Sequence, residues 1–172
     1  AFAYVSYLEE QGESLRRPVF PFAPTANLAV RRRLFEELGG FDEHLPYTDD
    51  ADFSLRLRAA AGPIAFAPRA IVFHEERCTT ATLFARYRQY GRGWAELLRK
   101  HPGELAWGPR LAWNANADVL KSLARIPAGY VRWKFRRGSP EDFHFRRLEF
   151  VRRFAHRLGF VERALSRGRL LW

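Results

Sequence analysis

Apolar residues recur at helical spacing between residues 83 and 97, where Leu83, Tyr87, Tyr90, Trp94 and Leu97 trace one stripe of an amphipathic helix. His101-Pro102-Gly103 closes that run. Phe53, Leu57 and Ala60 predict a second helix from Asp52 to Ala61, stopped by Gly62-Pro63. Leu34, Phe35 and Leu38 predict a shorter one, with Gly39-Gly40 as its C-terminal stop. Residues 1–14 read as the end of a helix. Residues 18–24 hold three prolines in seven positions and must be extended or loop. Thr25 to Val30 reads as a short strand, and Ile64–Phe66 and Ala70–Phe73 as short buried strands broken by Pro68. Strand, helix, strand, helix in this order predicts an α/β domain.

Past residue 104 the pattern turns to helix without strand. Ser139-Pro140-Glu141-Asp142 is a helix start: a capping serine, proline in the first turn, then acids at the positive end of the helix dipole. Leu148, Val151, Phe154, Leu158, Val161 and Leu165 follow as one apolar face among many arginines. Such a helix either lies on an anionic membrane surface or packs on its own domain with a solvated basic face. The chain therefore divides at 1–103 and 104–172, the second part a basic helical tail.

Charge sharpens this division. Residues 1–100 hold 14 Lys+Arg against 13 Asp+Glu, whereas residues 101–172 hold 15 against 6. The net charge of +10 thus belongs to the tail and suits phosphate-bearing surfaces. One cysteine excludes a disulfide framework and a cysteine-based zinc site, and fits a reducing, cytoplasmic setting. The chain begins at Ala1 with no methionine anywhere, and reads as the C-terminal piece of a longer protein.

The candidate chemistry lies in Thr48-Asp49-Asp50-Ala51-Asp52, at the mouth of a helix, and in His74 at the end of the Ala70–Phe73 segment. Alone, acids before a helix are usually caps and dipole partners worth about 1 kcal/mol or less each, and a lone histidine at a strand end is usually structural. The wider string changes that balance: Thr25-Ala26-Asn27-Leu28-Ala29, Arg31-Arg32, Leu38-Gly39-Gly40-Phe41-Asp42-Glu43, Asp49-Asp50-Ala51-Asp52-Phe53-Ser54-Leu55-Arg56-Leu57-Arg58, Ile71-Val72-Phe73-His74 and Tyr87-Arg88-Gln89-Tyr90-Gly91-Arg92-Gly93 occur in order.

Together they resemble the acceptor-side half of family-2 glycosyltransferases, inverting enzymes of GT-A-type fold that use nucleotide-sugars, over roughly residues 5–102. The resemblance implies a partial nucleotide-diphospho-sugar transferase domain. It implies Asp50 as the catalytic base, with Asp49 in place of the usual Glu, one methylene shorter. The helix dipole would lower the base's pKa. By the same resemblance His74 binds a divalent ion, Mn²⁺ more readily than Mg²⁺ because imidazole is among its ligands. Arg88 and Arg92 would contact the donor diphosphate, although arginines on a polar helix face are commonly only solvated. Asn27 and Asp42 are acceptor-side or loop-anchoring. Gly91 and Gly93 hint at a close backbone approach or a kink in their helix. Tyr87, Tyr90 and Trp94 are more readily core than sugar platform and receive no role.

The family's donor-side Asp-x-Asp has no counterpart, so the chain is expected to be inactive alone. Expected partners are a nucleotide-sugar, a cell-envelope or lipid-linked glycan acceptor, and the inner face of an anionic membrane, with no nucleic acid. The competing reading is a non-enzymatic basic module that binds lipid or nucleic acid through the tail; a metal-assisted hydrolase is the third.

Overall fold

In the computed structural model residues 14–15, 21–45, 47–73, 79–103 and 108–166 are described. The regular elements among them are helices: α1, Arg32–Glu37; α2, Asp49–Ala61; α3, Thr80–Lys100; α4, Pro109–Lys134; and α5, Pro140–Ser166; a 3-10 turn at Thr25–Asn27 precedes α1. They sort into two compact units. One holds the described residues between 14 and 73 together with 97–103; the other holds 79–96 and 108–166. Helix α3 contributes to both.

In the first unit, α1 stops where two glycines adopt left-handed backbone, Gly39 at φ +76° and Gly40 at φ +68°. Gly62, at φ +83°, ends α2 in the same region. Fully buried Phe53 of α2 meets Phe35 and Phe41 with ring centroids 5.2–5.3 Å apart, and these two rings are 5.2 Å from each other. Burying Phe53 contributes about 2–3 kcal/mol, and Leu45, Ala51 and Leu57 complete the core. Two backbone amides dock the incoming chain on α2: Ala23 N–H donates to Ser54 Oγ at 3.0 Å and Thr25 N–H to Asp50 Oδ2 at 3.4 Å.

The expected strands are absent, and the α/β expectation is corrected to this extent: among the described residues there is no β-strand. Residues 25–27 form a 3-10 turn. The segments 64–66 and 70–73 are irregular and, apart from half-buried Ile64, exposed rather than buried, Phe73 at 97%. A strand is stable only when its N–H and C=O groups meet a neighbouring ladder. Here Ala70 N–H instead closes a turn onto Ala67 O at 3.0 Å, and Pro63 and Pro68 have no N–H to give.

In the second unit Leu83 of α3 and Leu148 of α5 are buried together, packed by Tyr87, Phe145 and Val151. Arg152 lies over the Tyr87 ring, and farther along Glu96 pairs with Arg163, so α3 and α5 run in the same direction. Two glycines set their closest approach. A Cβ on Gly91 would overlap the His156 carbonyl, and one on Gly159 would overlap that of Arg88. The close approach read from Gly91 is therefore present. Helices α4 and α5 pack as an antiparallel pair: Asn116 Oδ1 accepts from Arg157 Nε at 2.6 Å, Asp118 pairs with Arg153, and Gly129 faces Arg146. Helix α5 opens as its sequence says, with Ser139 Oγ accepting the Asp142 amide at 3.1 Å. Its apolar residues Leu148, Ala155 and Phe160 are buried within the unit, although Phe154 and Leu165 stay exposed.

Candidate active site

Helix α2 turns about 100° per residue, so Asp50 and Asp52 leave it on nearly opposite sides. That offset gives two carboxylates two residues apart different surroundings. Asp50 lies on the side of Ser54, which receives the Ala23–Thr25 segment. Its Oδ1 accepts the Ala51 amide at 2.8 Å and its Oδ2 the Thr25 amide at 3.4 Å. Burial pushes the Asp50 carboxyl above its ordinary value and the Asp49 charge adds to this, while the two amides oppose it. The expected lowering by the helix dipole does not prevail, because among the described residues no cation offsets the desolvation of this carboxylate.

Asp52, fully buried, faces three cationic or ring N–H groups. Arg56 Nε reaches its Oδ2 at 2.9 Å, and Lys100 Nζ and His101 Nε2 reach Oδ1 at 2.7 and 2.8 Å. Burial alone would raise this carboxyl, but hydrogen bonds from His101, Lys100 and Arg56 together hold it below the ordinary value. Arg56 also donates to the Leu38 and Gly40 carbonyls, at 2.5 and 2.7 Å. Asp52 thus ties the end of α3 and the Gly39-Gly40 turn to α2. Nothing in the sequence reading identified this cluster; its one local signal was the spacing Asp52-x-x-x-Arg56 on a helix.

Asp42 belongs to the same network. Its Oδ2 accepts Lys100 Nζ at 2.7 Å and its Oδ1 the His44 amide at 2.9 Å, and its carboxyl is held down to about 2, chiefly by Lys100. Of its two expected roles, loop anchor is the one these contacts perform. Asn27 Nδ2 donates to Ala70 O at 2.7 Å, fixing the chain four residues before His74. His74 itself lies outside the described residues. Among the described residues no three His, Cys, Asp or Glu side chains converge as a metal site.

Thr25, whose amide meets Asp50, also lines an open hollow of about 350 Å³ with Leu28, Val30, Arg32, Phe35 and Phe41. Its walls are largely apolar, with one guanidinium at the rim. Asp50 is not itself a lining residue; the Thr25 amide is its link to this hollow.

Arg88 and Arg92 lie on the part of α3 in the other unit. Both grip Glu162: Arg88 through Nε and Nη2 at 2.9 and 2.8 Å, and Arg92 through Nη2 at 2.8 Å. The Arg88 hydrogen bonds, with those of Arg92, hold the Glu162 carboxyl below its ordinary value. This clamp links α3 to α5 next to the Gly91–Gly159 crossing.

Comparison with known proteins agrees with the motif string. The family model described as glycosyl transferase family group 2 matches residues 5–155. The chain is similar to the pre-mycofactocin glycosyltransferase of Mycobacterium tuberculosis (strain ATCC 25618 / H37Rv), 31% identical over 106 residues, which cover 56% of this chain and 23% of that protein. It is similar to the succinoglycan biosynthesis protein ExoA of Rhizobium meliloti (strain 1021), 31% identical over 108 residues, 58% of this chain and 32% of that protein. It is also similar to the O-antigen chain rhamnosyltransferase RfbN of Salmonella typhimurium (strain LT2), 33% identical over 70 residues, 41% of this chain and 22% of that protein. The chain thus spans between about a fifth and a third of the length of these relatives. No solved structure matches it. With the family's match running through α2 and its paired carboxylates and on into α5, the chain belongs to glycosyl transferase family group 2.

Proposed function

We propose that this chain forms the acceptor side of an inverting, GT-A-type glycosyltransferase that moves a sugar from a nucleotide-sugar to a hydroxyl of a cell-envelope or lipid-linked glycan. Asp50 is the base. The observation that carries this reading is its partly buried carboxylate, raised above the ordinary aspartate value and one hydrogen bond from an open hollow. Each Asp50 oxygen accepts one amide and keeps a lone pair for an acceptor hydroxyl. As that hydroxyl oxygen bonds to the anomeric carbon, Asp50 takes its proton and the bond to the diphosphate breaks on the opposite face, which inverts the anomeric centre. Asp49 raises the basicity of Asp50 by its charge.

Leu28, Val30, Phe35 and Phe41 offer apolar walls for a sugar face or a hydrophobic aglycone, with Arg32 placed for an anionic group on the acceptor. The names of two relatives, a succinoglycan biosynthesis protein and an O-antigen chain rhamnosyltransferase, favour a polysaccharide acceptor. His74 is the proposed ligand for a divalent ion, Mn²⁺ or Mg²⁺, which when bound would supply positive charge to a departing diphosphate. Arg88 and Arg92, which both bind Glu162, are the proposed contacts for a donor diphosphate.

Supplying nucleotide-sugars and glycan acceptors to the 172-residue chain, and to any longer natural polypeptide containing it, tests the reading. Transfer with inversion is expected in the longer form only, and Asp50→Asn lowers it about 10²–10⁴-fold. Release of free sugar at the same rate with and without a glycan would make the protein a hydrolase instead.

A further inference from the structure

On the apolar face of α5 Leu148 is buried, Val151, Leu158 and Val161 are half-buried, and Phe154 and Leu165 are exposed, whereas α4 presents a continuous exposed strip. Ala112, Ser122 and Gly129 of α4 are buried. On the opposite side Trp113, Leu120, Ala124, Pro127 and Val131 follow one another at spacings of seven, four, three and four, and all five are exposed, Trp113 at 72% and Leu120 at 66%. On a helix these positions form a single strip about 27 Å long. No charged residue interrupts it, and Arg110, Lys121, Arg132 and Lys134 border it. The one acid on α4, Asp118, is already paired with Arg153 and Lys121. A solvent-facing apolar strip with a tryptophan near one end and cations along its borders is the pattern of a helix lying in a lipid interface. No helix among the described residues is long and apolar enough to cross a membrane. A symmetric second copy is a poorer occupant, since it would bring the same row of cations face to face.

We propose that the outer face of α4 lies flat on an anionic lipid bilayer, Trp113, Leu120, Pro127 and Val131 entering the headgroup boundary while Arg110, Lys121 and Arg132 meet the lipid phosphates. This goes beyond the sugar-transfer reading and does not depend on it.

Flotation of the 172-residue chain with phosphatidylcholine vesicles, with and without phosphatidylglycerol, tests the inference. The chain floats with the anionic vesicles only, and rising salt weakens the association. Each cation near an anionic surface contributes about fivefold, so Arg110→Gln, Lys121→Gln and Arg132→Gln together lower partitioning about a hundredfold. Leu120→Gln with Val131→Gln abolishes flotation while circular dichroism stays unchanged, because both side chains are exposed in the fold. Indifference to phosphatidylglycerol, or flotation of the Leu120/Val131 variant equal to the parent, overturns the proposal. So does a dimer in size-exclusion chromatography that the same variant converts to monomer.

Discussion

Asp50→Asn and Asp52→Asn each replace one carboxylate oxygen by an amide nitrogen, two residues apart on one helix, and they should behave as opposites. Asp52 is fully buried and accepts from Arg56, Lys100 and His101 within 2.7–2.9 Å. Removing one partner of a buried ion pair costs about 3–5 kcal/mol. Arg56 keeps the Leu38 and Gly40 carbonyls and Lys100 keeps Asp42, which reduces the loss to about 2–4 kcal/mol. At about 2–4 °C per kcal/mol for a chain of this size, the melting midpoint of Asp52→Asn falls by roughly 5–15 °C. Among the described residues Asp50 has no cation to lose, and burial destabilises it as an anion, so Asp50→Asn stays within about 1 kcal/mol of the parent. Thermal melts followed by circular dichroism at neutral pH read both. The contribution of Asp52 is present above its ordinary value of 3.8 and is lost as pH falls through its depressed folded value, so the two variants converge in strong acid. Equal melting of the two at neutral pH, or an Asp52→Asn midpoint at the parent value, would refute the reasoning.

Three further outcomes follow from the second unit. Gly91→Ala and Gly159→Ala each gain about 1 kcal/mol of helix propensity yet drive a methyl into facing backbone, so both lower the midpoint. Gly129→Ala crowds the flexible Arg146 side chain and touches the Phe143 Cα only at ordinary contact distance, so it leaves the midpoint unchanged or higher; identical behaviour of all three in thermal melts would contradict the helix crossing. His156 is held down to about 4, chiefly by burial, with Arg152 and Arg157 adding to the effect. Its folded pKa lies below the ordinary 6.5, so its neutral form supports the fold fully above that pH. That support, about 3 kcal/mol, drains away as pH falls from 6.5 toward 4; urea titrations of His156→Gln across this range should show a flatter pH dependence than the parent. Ser139→Ala removes the cap on α5 and should cost about 1 kcal/mol by the same titration.

Local signals were legible where the physics is local. Gly39-Gly40 and Gly62 stop their helices through left-handed backbone, and Ser139 caps α5, as the letters alone indicate. The Leu83–Leu97 stripe lies on α3 with both end residues buried. What stayed hidden depends on residues far apart in sequence. Two of the three groups that hold Asp52 come from positions 100 and 101, and the carbonyl that makes Gly91 necessary belongs to residue 156. Ile71-Val72-Phe73 has strand composition, but among the described residues it has no ladder neighbour, and composition cannot supply one. For α5, periodicity showed an apolar face without showing that α3 would cover part of it.

The central claim is that the Asp50 carboxylate, and not that of Asp49 or Asp52, takes the acceptor proton. Its most direct test is the pH dependence of kcat/KM for sugar transfer, measured in whichever natural polypeptide containing this chain transfers sugar. The parent and Asp49→Asn should share an acidic limb, set above the ordinary aspartate value of 3.8 in the parent and lower when the Asp49 charge is gone. Asp50→Asn should lose both that limb and about 10²–10⁴-fold of the rate. Transfer by Asp50→Asn at the parental rate, with the same limb, would contradict the assignment.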